Sequence, residues 1–296
     1  MHTPIMMQAP EAALGECPRY DAATKTLSWV DLSAGRLWCA DTAPEAPLAD
    51  TLRHPRLLTE VTGNLACAVR RGAPGGRDTD WLLCNEGTVL AWTEGQAPRP
   101  VVEVEPDHTR VRLSDGVVGP DGGLWVGSIP VPRPLEPWGR MHRITGSPDP
   151  QVETLMDGLL AANGMGWSPD AATLYVVDSG RKLIHRLRRD GEGRTAEADE
   201  PLSTVEISGT PDGITVDAAG CVWVAMWDGG TVVRLSPDGA ELDRVLLPCS
   251  RPTACALVDR RLVITTARVA DEPWSGRLFA VDVDVPGLPA LRAAWH

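Results

Sequence analysis

Phenylalanine occurs once and tyrosine twice in 296 residues, and no run approaches the roughly 18 apolar residues that a membrane-crossing helix requires. The amino terminus, MHTPIMMQAP, has neither the basic flank nor the apolar stretch of a secretory leader. These absences predict a soluble, cytoplasmic protein without a membrane partner. Basic residues are in the minority, 28 against 40 acidic ones, for a formal net charge of -12. Such a surface repels phosphate backbones, which argues against nucleic acid and favours a cation or a neutral small molecule as partner. The seven cysteines show no CxxC or zinc-finger spacing and the six histidines no HExxH or HxxxH spacing. A structural zinc site, a zincin and a histidine-based triad are therefore disfavoured. Cysteines in runs such as LACAV and WLLCN read as free thiols acting as small buried hydrophobes. No amphipathic pattern long enough for a helix of about 12 residues is present.

What is present is repetition. Strand-like runs recur with a period of about 47 residues: LSWVD ending at Asp31, DWLLCN at Asn85, LWVGS at Ser128, LYVVDS at Ser179, VWVAMW at Trp227 and LVITTA at Ala267. Each is followed across a short turn by a second run, beginning at Gly35, Gly87, Gly139, Lys182, Gly230 and Gly276. An upstream run, joined through turns such as SPDAAT, DAAG or GPDGG, and a downstream run such as PQVETLMDGL complete a unit of four short strands. Six units predict an all-β, six-bladed β-propeller with four antiparallel strands per blade. No linker interrupts the series, so 1–296 reads as a single domain. Ring closure then requires a terminal segment to complete the blade at the opposite end of the chain. Trp29, Trp81, Trp125 and Trp223 fall at one repeat position and are expected to pack between blades.

The innermost strand of each blade borders the axis, so one register position per copy maps onto a ring. Aligning the copies places Glu16 (LGECP), Asn64 (TGNLA), Ser114 (RLSDG), Asn163 (AANGM), Asp212 (TPDGI) and Thr253 (RPTAC) in equivalent slots, each with a side-chain oxygen. Two carboxylates converging among neutral oxygens repel unless a cation lies between them. The pattern predicts one bound divalent metal with Glu16, Asn163 and Asp212 as its ligands. Oxygen donors favour hard cations, calcium first, then magnesium or manganese, while zinc or iron can occupy such a site when available. Pro211-Asp212-Gly213 has the look of a turn, but DAAG at 217–220 is the turn of that hairpin, which puts Asp212 at the strand's other end. Asp115 directly follows Ser114, and strand alternation turns it away from the axis into a structural role.

The segments LGECPRYD with LSWVDL, RLSDGVVGPDGGLWVGS, ANGMGWSPDAATLYVVDS and GTPDGITVDAAGCVWVAMWDGG, closed by LVITTA, occur in this order across nearly the whole chain. Together they resemble the SMP-30/gluconolactonase/regucalcin-like family of six-bladed propellers. The resemblance implies a metal-dependent hydrolase of sugar lactones, with one divalent cation held by Glu16, Asn163 and Asp212, and with Asp212 as the base that takes a proton from water. In the family's Arg-x-Asn-Asp-Gly motif the Arg and Asn contact substrate. Here Arg112 keeps its place, but Ser114 stands where the family has Asn, a shorter side chain with a single oxygen. A further acidic substrate contact of some members has no counterpart in SIPVPRPLEPWG, where Pro132 stands near the slot. The proline-rich 130–138 segment reads equally as a connector or as a lid. Two other functions fit the same ring: hydrolysis of another electrophile such as a phosphotriester, and metal or ligand binding without catalysis. Oligomeric state carries no signal in the sequence.

Overall fold

The computed structural model describes residues 2–72, 80–131, 134–146, 148–189 and 195–295, with side chains from Glu200 onward in the last segment. The first blade holds β2 (Gly15–Asp21), β3 (Thr26–Asp31), β4 (Arg36–Thr42) and β5 (Leu52–Glu60), after a short β1 (Ile5–Met6). The second holds β6 (Leu65–Arg70), β7 (Asp80–Asn85), β8 (Thr88–Thr93) and β9 (Arg99–Glu103), and the third β10 (Val111–Val118), β11 (Leu124–Pro130), β12 (Gly139–Thr145) and β13 (Gln151–Leu159). The fourth comprises β14 (Ala162–Trp167), β15 (Thr173–Asp178), β16 (Leu183–Arg189) and β17 (Thr195–Ser203), and the fifth β18 (Thr210–Val216), β19 (Val222–Trp227), β20 (Thr231–Leu235) and β21 (Glu241–Leu246). The last blade is β22 (Pro252–Val258), β23 (Arg261–Thr266) and β24 (Phe279–Asp282), with β1 as its outer strand. The result is the expected six-bladed propeller of four-stranded antiparallel sheets. Among the described residues no helix is long and apolar enough to cross a membrane.

Burial falls from axis to rim, as radial stacking of sheets demands. β3 is buried along its length and β6 nearly so, because neighbouring blades cover both faces; the outer β5 and β13 are mostly exposed. Ring closure comes from the amino terminus, where Ile5 and Met6 pair with Ala280 and Phe279. The carboxyl terminus closes the far end of the channel. Gly287 bridges Asp217 of the fifth blade, and Ala293 pairs with Arg71 of the second. The Ala294 N–H donates to the Gly122 carbonyl in the third blade at 2.9 Å, so the tail crosses the channel floor.

All four repeat tryptophans are buried to 2% exposure or less, but they do not share one register. Trp125 opposes Val117, one residue before the Val126–Gly116 pair; Trp223 likewise opposes Thr215, one before Val224–Ile214. Each packs into the following blade, Trp125 against Met165 and Leu174, Trp223 against Cys255 and Ile264. Trp29 stands two residues before the Asp31–Gly15 pair, whereas Trp125 stands three before the equivalent Ser128–Leu113 pair. That offset turns it to the opposite face, where it packs back against Val258 and Val263 of the last blade. Trp81, four residues before the equivalent Asn85–Leu65 pair, shares the face of Trp29, and Arg70, which bonds Thr26 and Asp21 of the first blade, stacks over its ring at 4.3 Å.

One irregularity recurs in every blade. The ladder between the first two strands breaks between Glu16 and Arg19, Leu65 and Cys67, Leu113 and Gly116, Ala162 and Met165, Pro211 and Ile214, and Pro252 and Ala254. Extra residues in a ladder re-aim side chains. All six breaks lie at the starts of the inner strands, so they gather at a single mouth of the channel.

Candidate active site and metal centre

That mouth opens on a cavity of about 450 Å³ lined by Glu16, Arg112, Ser114, Asp115, Asn163 and Asp212. Asn163 is its hub. The Nδ2 group of Asn163 donates to Asp212 Oδ1 at 2.5 Å and to Ser179 Oγ at 3.3 Å, while its Oδ1 accepts from Ser114 Oγ at 3.4 Å. The third, fourth and fifth blades are thereby tied side chain to side chain. Glu16 faces the same cavity from the first blade, with the Cys17 N–H donating to its Oε2 at 3.3 Å. Arg112 donates from Nη1 to the Leu113 carbonyl at 3.0 Å.

Two local devices set this geometry. Asn163 and Asp212 are each followed by a glycine, and a β-carbon on Gly164 would lie 2.6 Å from the Asp212 carbonyl, one on Gly213 2.3 Å from the Ala254 β-carbon. Only glycine permits inner strands to approach so closely. Asn-Gly and Asp-Gly, turn signals in most sequences, here mark backbone contact between blades. The second device is a buried carboxylate ahead of the ring residue. Asp31 accepts the N–H groups of Ala13 and Leu14 at 3.0 and 3.1 Å, just before Glu16. Asp178, fully buried, accepts those of Leu160 and Ala161 at 3.3 and 3.1 Å, just before Asn163.

Burial and crowding of like charges govern the electrostatics. Burial, with Asp115 beside it, raises Asp212 to about 8, although the Asn163 amide and Arg112 oppose the rise. Glu16 is pushed well above the carboxylate range, first by burial and then by Asp212 and Asp115, against one backbone N–H from Cys17. Three carboxyl groups thus converge where the Arg112 guanidinium opposes the rise of Asp212. Carboxylates held in this way favour uptake of a positive ion over coexistence as bare anions.

The ring predicted from the repeats is four-sixths realised. Glu16, Ser114, Asn163 and Asp212 line the cavity. Asn64 does not: it precedes β6, and its side-chain and backbone N–H groups donate to Glu86 Oε1 at 3.0 and 2.7 Å. Ala66, inside the ladder break, takes its place. Thr253 is buried and clips the last blade to the first by donating to the Gly15 carbonyl at 2.5 Å. Asp115 corrects the alternation argument. Ser114 and Asp115 both lie within the β10 break, so both reach the cavity. Pro132 lies outside the described residues; Leu135, three residues on, lines the cavity. The repeats also concealed Lys182, which lines the cavity and occupies the turn slot that is glycine in the other five copies. Its φ of 55° is of the kind seen at Gly35, Gly230 and Gly276. A lysine in that left-handed slot was the visible signal. Trp227 and Asp228, also on the cavity, carried none.

Fold and cavity together define a six-bladed propeller whose oxygen-rich channel mouth is built for a small polar ligand. Residues 14–268 match the SMP-30/Gluconolactonase/LRE-like region, and the chain belongs to that family. It is 33% identical to 6-deoxy-6-sulfogluconolactonase of Pseudomonas putida, over 93% of each chain. It is 31% identical to L-arabinolactonase of Azospirillum brasilense, over 95% of this chain and 92% of that one. The solved structure of a calcium-binding protein, regucalcin, from Agrobacterium tumefaciens superposes with a TM-score of 0.85 over 99% of this chain and 97% of the other, at 22% identity. That likeness concerns the fold.

Proposed function

We propose that this chain is a divalent-metal-dependent sugar lactonase in which Glu16, Asn163 and Asp212 hold the cation, Asp212 takes the proton of the attacking water, and Arg112 and Ser114 bind substrate. The observation that carries the proposal is the contact of Asn163 with Asp212 on a cavity that Glu16 also lines. The donors fit a hard ion, calcium first: two carboxylates and an amide oxygen, with Ser114 Oγ adjacent. The raised Glu16 and Asp212 mark a surplus of buried negative charge that a dication would offset. Relatives named for hydrolysis of a sulfogluconolactone and of an arabinolactone supply the substrate class.

Glu16, Asn163 and Asp212 would hold a divalent ion here, and when bound it would supply Lewis acidity toward the lactone carbonyl and toward water. The chain's own groups supply the rest. Asp212 Oδ1 is engaged by the Asn163 amide, which leaves Oδ2 to receive a proton. Arg112 offers a planar fork of donors to ring hydroxyls or the carbonyl. Ser114 contributes one short hydroxyl, so the pocket is roomier there than an asparagine would leave it. About 450 Å³ lies within the roughly 300–1,000 Å³ of small-molecule sites and accommodates a single sugar ring. Seven free cysteines suit a reducing, cytoplasmic setting.

A panel of aldonolactones, assayed after chelation and after adding back individual metals, tests the proposal. Turnover of at least one lactone, lost on chelation and restored by calcium or another divalent ion, is the expected result. Metal-replete protein that opens none of them above the buffer rate overturns it.

A further inference from the structure

One residue further along each inner strand, the channel wall is asymmetric. Behind Asn163, Asp212 and Thr253 stand Gly164, Gly213 and Ala254, whereas behind Glu16, Ala66 and Ser114 stand Cys17, Cys67 and Asp115. Three adjacent blades therefore direct functional side chains to one place. The two sulfur atoms and a carboxylate oxygen of Asp115 lie within 4.8 Å of one another, all three residues being buried. Ligand atoms around a tetrahedral zinc ion, with metal–sulfur bonds of about 2.3 Å and metal–oxygen bonds of about 2.0–2.2 Å, stand roughly 3.5–3.8 Å apart. The cluster is within about an ångström of that spacing before any ion enters.

Two further features mark the cluster as more than packing. Cys17 holds a φ of 47° immediately before Pro18, a conformation that a side chain and a following proline both disfavour and that costs on the order of 1–3 kcal/mol. Asp115 is anchored through one oxygen: its Oδ1 accepts the Gly116 N–H at 2.7 Å and Arg19 Nη2 at 3.1 Å. Arg19, which also donates to the Gly116 carbonyl, balances the Asp115 charge.

We propose that Cys17, Cys67 and Asp115 form a second metal site, selective for a thiophilic dication of the zinc and cadmium class, which borders the oxygen-lined mouth at Asp115 and adds to it two sulfur ligands. On binding, two S–H bonds break and two metal–sulfur bonds form. Both protons leave to solvent, and nothing is oxidised or reduced. With Arg19 counted, exchanging two protons for one dication leaves the cluster neutral. Softness sorts the ions: thiolates select zinc-like metals, while the mouth offers oxygen donors alone. Three protein ligands leave a fourth position open.

The test uses the full chain in saturating calcium, titrated with cadmium chloride under reducing conditions. Ultraviolet thiolate-to-cadmium charge-transfer absorption and equilibrium dialysis are the readouts. Absorption that saturates at one cadmium per chain is expected. It should vanish in Cys17→Ser and in Cys67→Ser and persist in Cys255→Ser, which removes a buried cysteine bonded instead to the Trp223 carbonyl. Asp115→Asn should keep the absorption with cadmium affinity weakened at least tenfold. No absorption at saturating cadmium, or absorption that survives in both cluster variants, overturns the proposal. If Cys17→Ser fails to fold, Cys67→Ser, away from the strained turn, decides alone. The readout is sulfur coordination, so it is independent of whether lactones are hydrolysed.

Discussion

The Asn163 amide meets Asp212 Oδ1 at 2.5 Å across the seam between the fourth and fifth blades, and it can do so because Gly164, which follows Asn163, lets the backbone of the fourth blade nearly touch that of the fifth. Gly164→Ala places a β-carbon 2.6 Å from the Asp212 carbonyl oxygen, so one blade must shift. The expected cost is about 1–3 kcal/mol of stability, as for other overpacked interiors. Calcium affinity should fall with it, since Asp212 moves as well. Thermal melting and isothermal calorimetry on the same preparation measure both, and an unaltered calcium affinity would show the seam to be irrelevant to the site.

Asp212 makes metal-free stability depend on pH. Its folded value of about 8 lies above the ordinary 3.8, so between these the folded state holds the proton more tightly than the unfolded chain does. The associated stability is complete below about pH 4 and is lost as pH rises through about 8. With chelator present, Asp212→Asn should therefore melt progressively higher than the parent across that interval. In saturating calcium the order should reverse. Melting curves that keep a constant separation at every pH would contradict the assignment.

Arg112→Ala separates substrate binding from metal binding. Arg112 lowers Asp212 through its charge, and the same charge repels a cation. Its removal should leave calcium affinity unchanged or improved, while kcat/KM for a lactone falls roughly 10- to 100-fold, the loss of a charge-assisted hydrogen bond of about 1.5–3 kcal/mol. Parallel loss of both affinity and turnover would instead make Arg112 part of the scaffold.

Trp125 is a structural test remote from the chemistry. It is 1% exposed and stands edge-on to Trp167, ring centroids 5.2 Å apart, at the seam between the third and fourth blades. Trp125→Ala should cost about 3–5 kcal/mol, read in denaturant melts. Turnover per folded molecule well below the melting range should be preserved.

The repeat carried most of the architecture into view. Six copies of one hairpin signal a radial array, and distant copies converge along the inner strands, so Glu16, Asn163 and Asp212, at the starts of theirs, were legible as a set. Asp115 was not, because alternation presumes an unbroken ladder and β10 breaks between Leu113 and Gly116. Asn64 and Thr253 show the converse: an oxygen in the correct slot, diverted by Glu86 in one case and by the Gly15 carbonyl in the other. Trp29 shows how a shift of one residue within an otherwise faithful copy changes which blade a side chain joins.

Local pattern alone specified strand, turn and repeat number, because hydrophobic alternation and glycine placement act over a few neighbouring residues. The meeting of Cys17 with Cys67 and Asp115, the spacing of Asn163 from Asp212, and the sealing of the channel floor by the tail that ends beside Gly122 belong to the assembled ring. They depend on how far each ladder break rotates a side chain and on how closely adjacent sheets pack, quantities that arise only when blades distant in the chain press against one another.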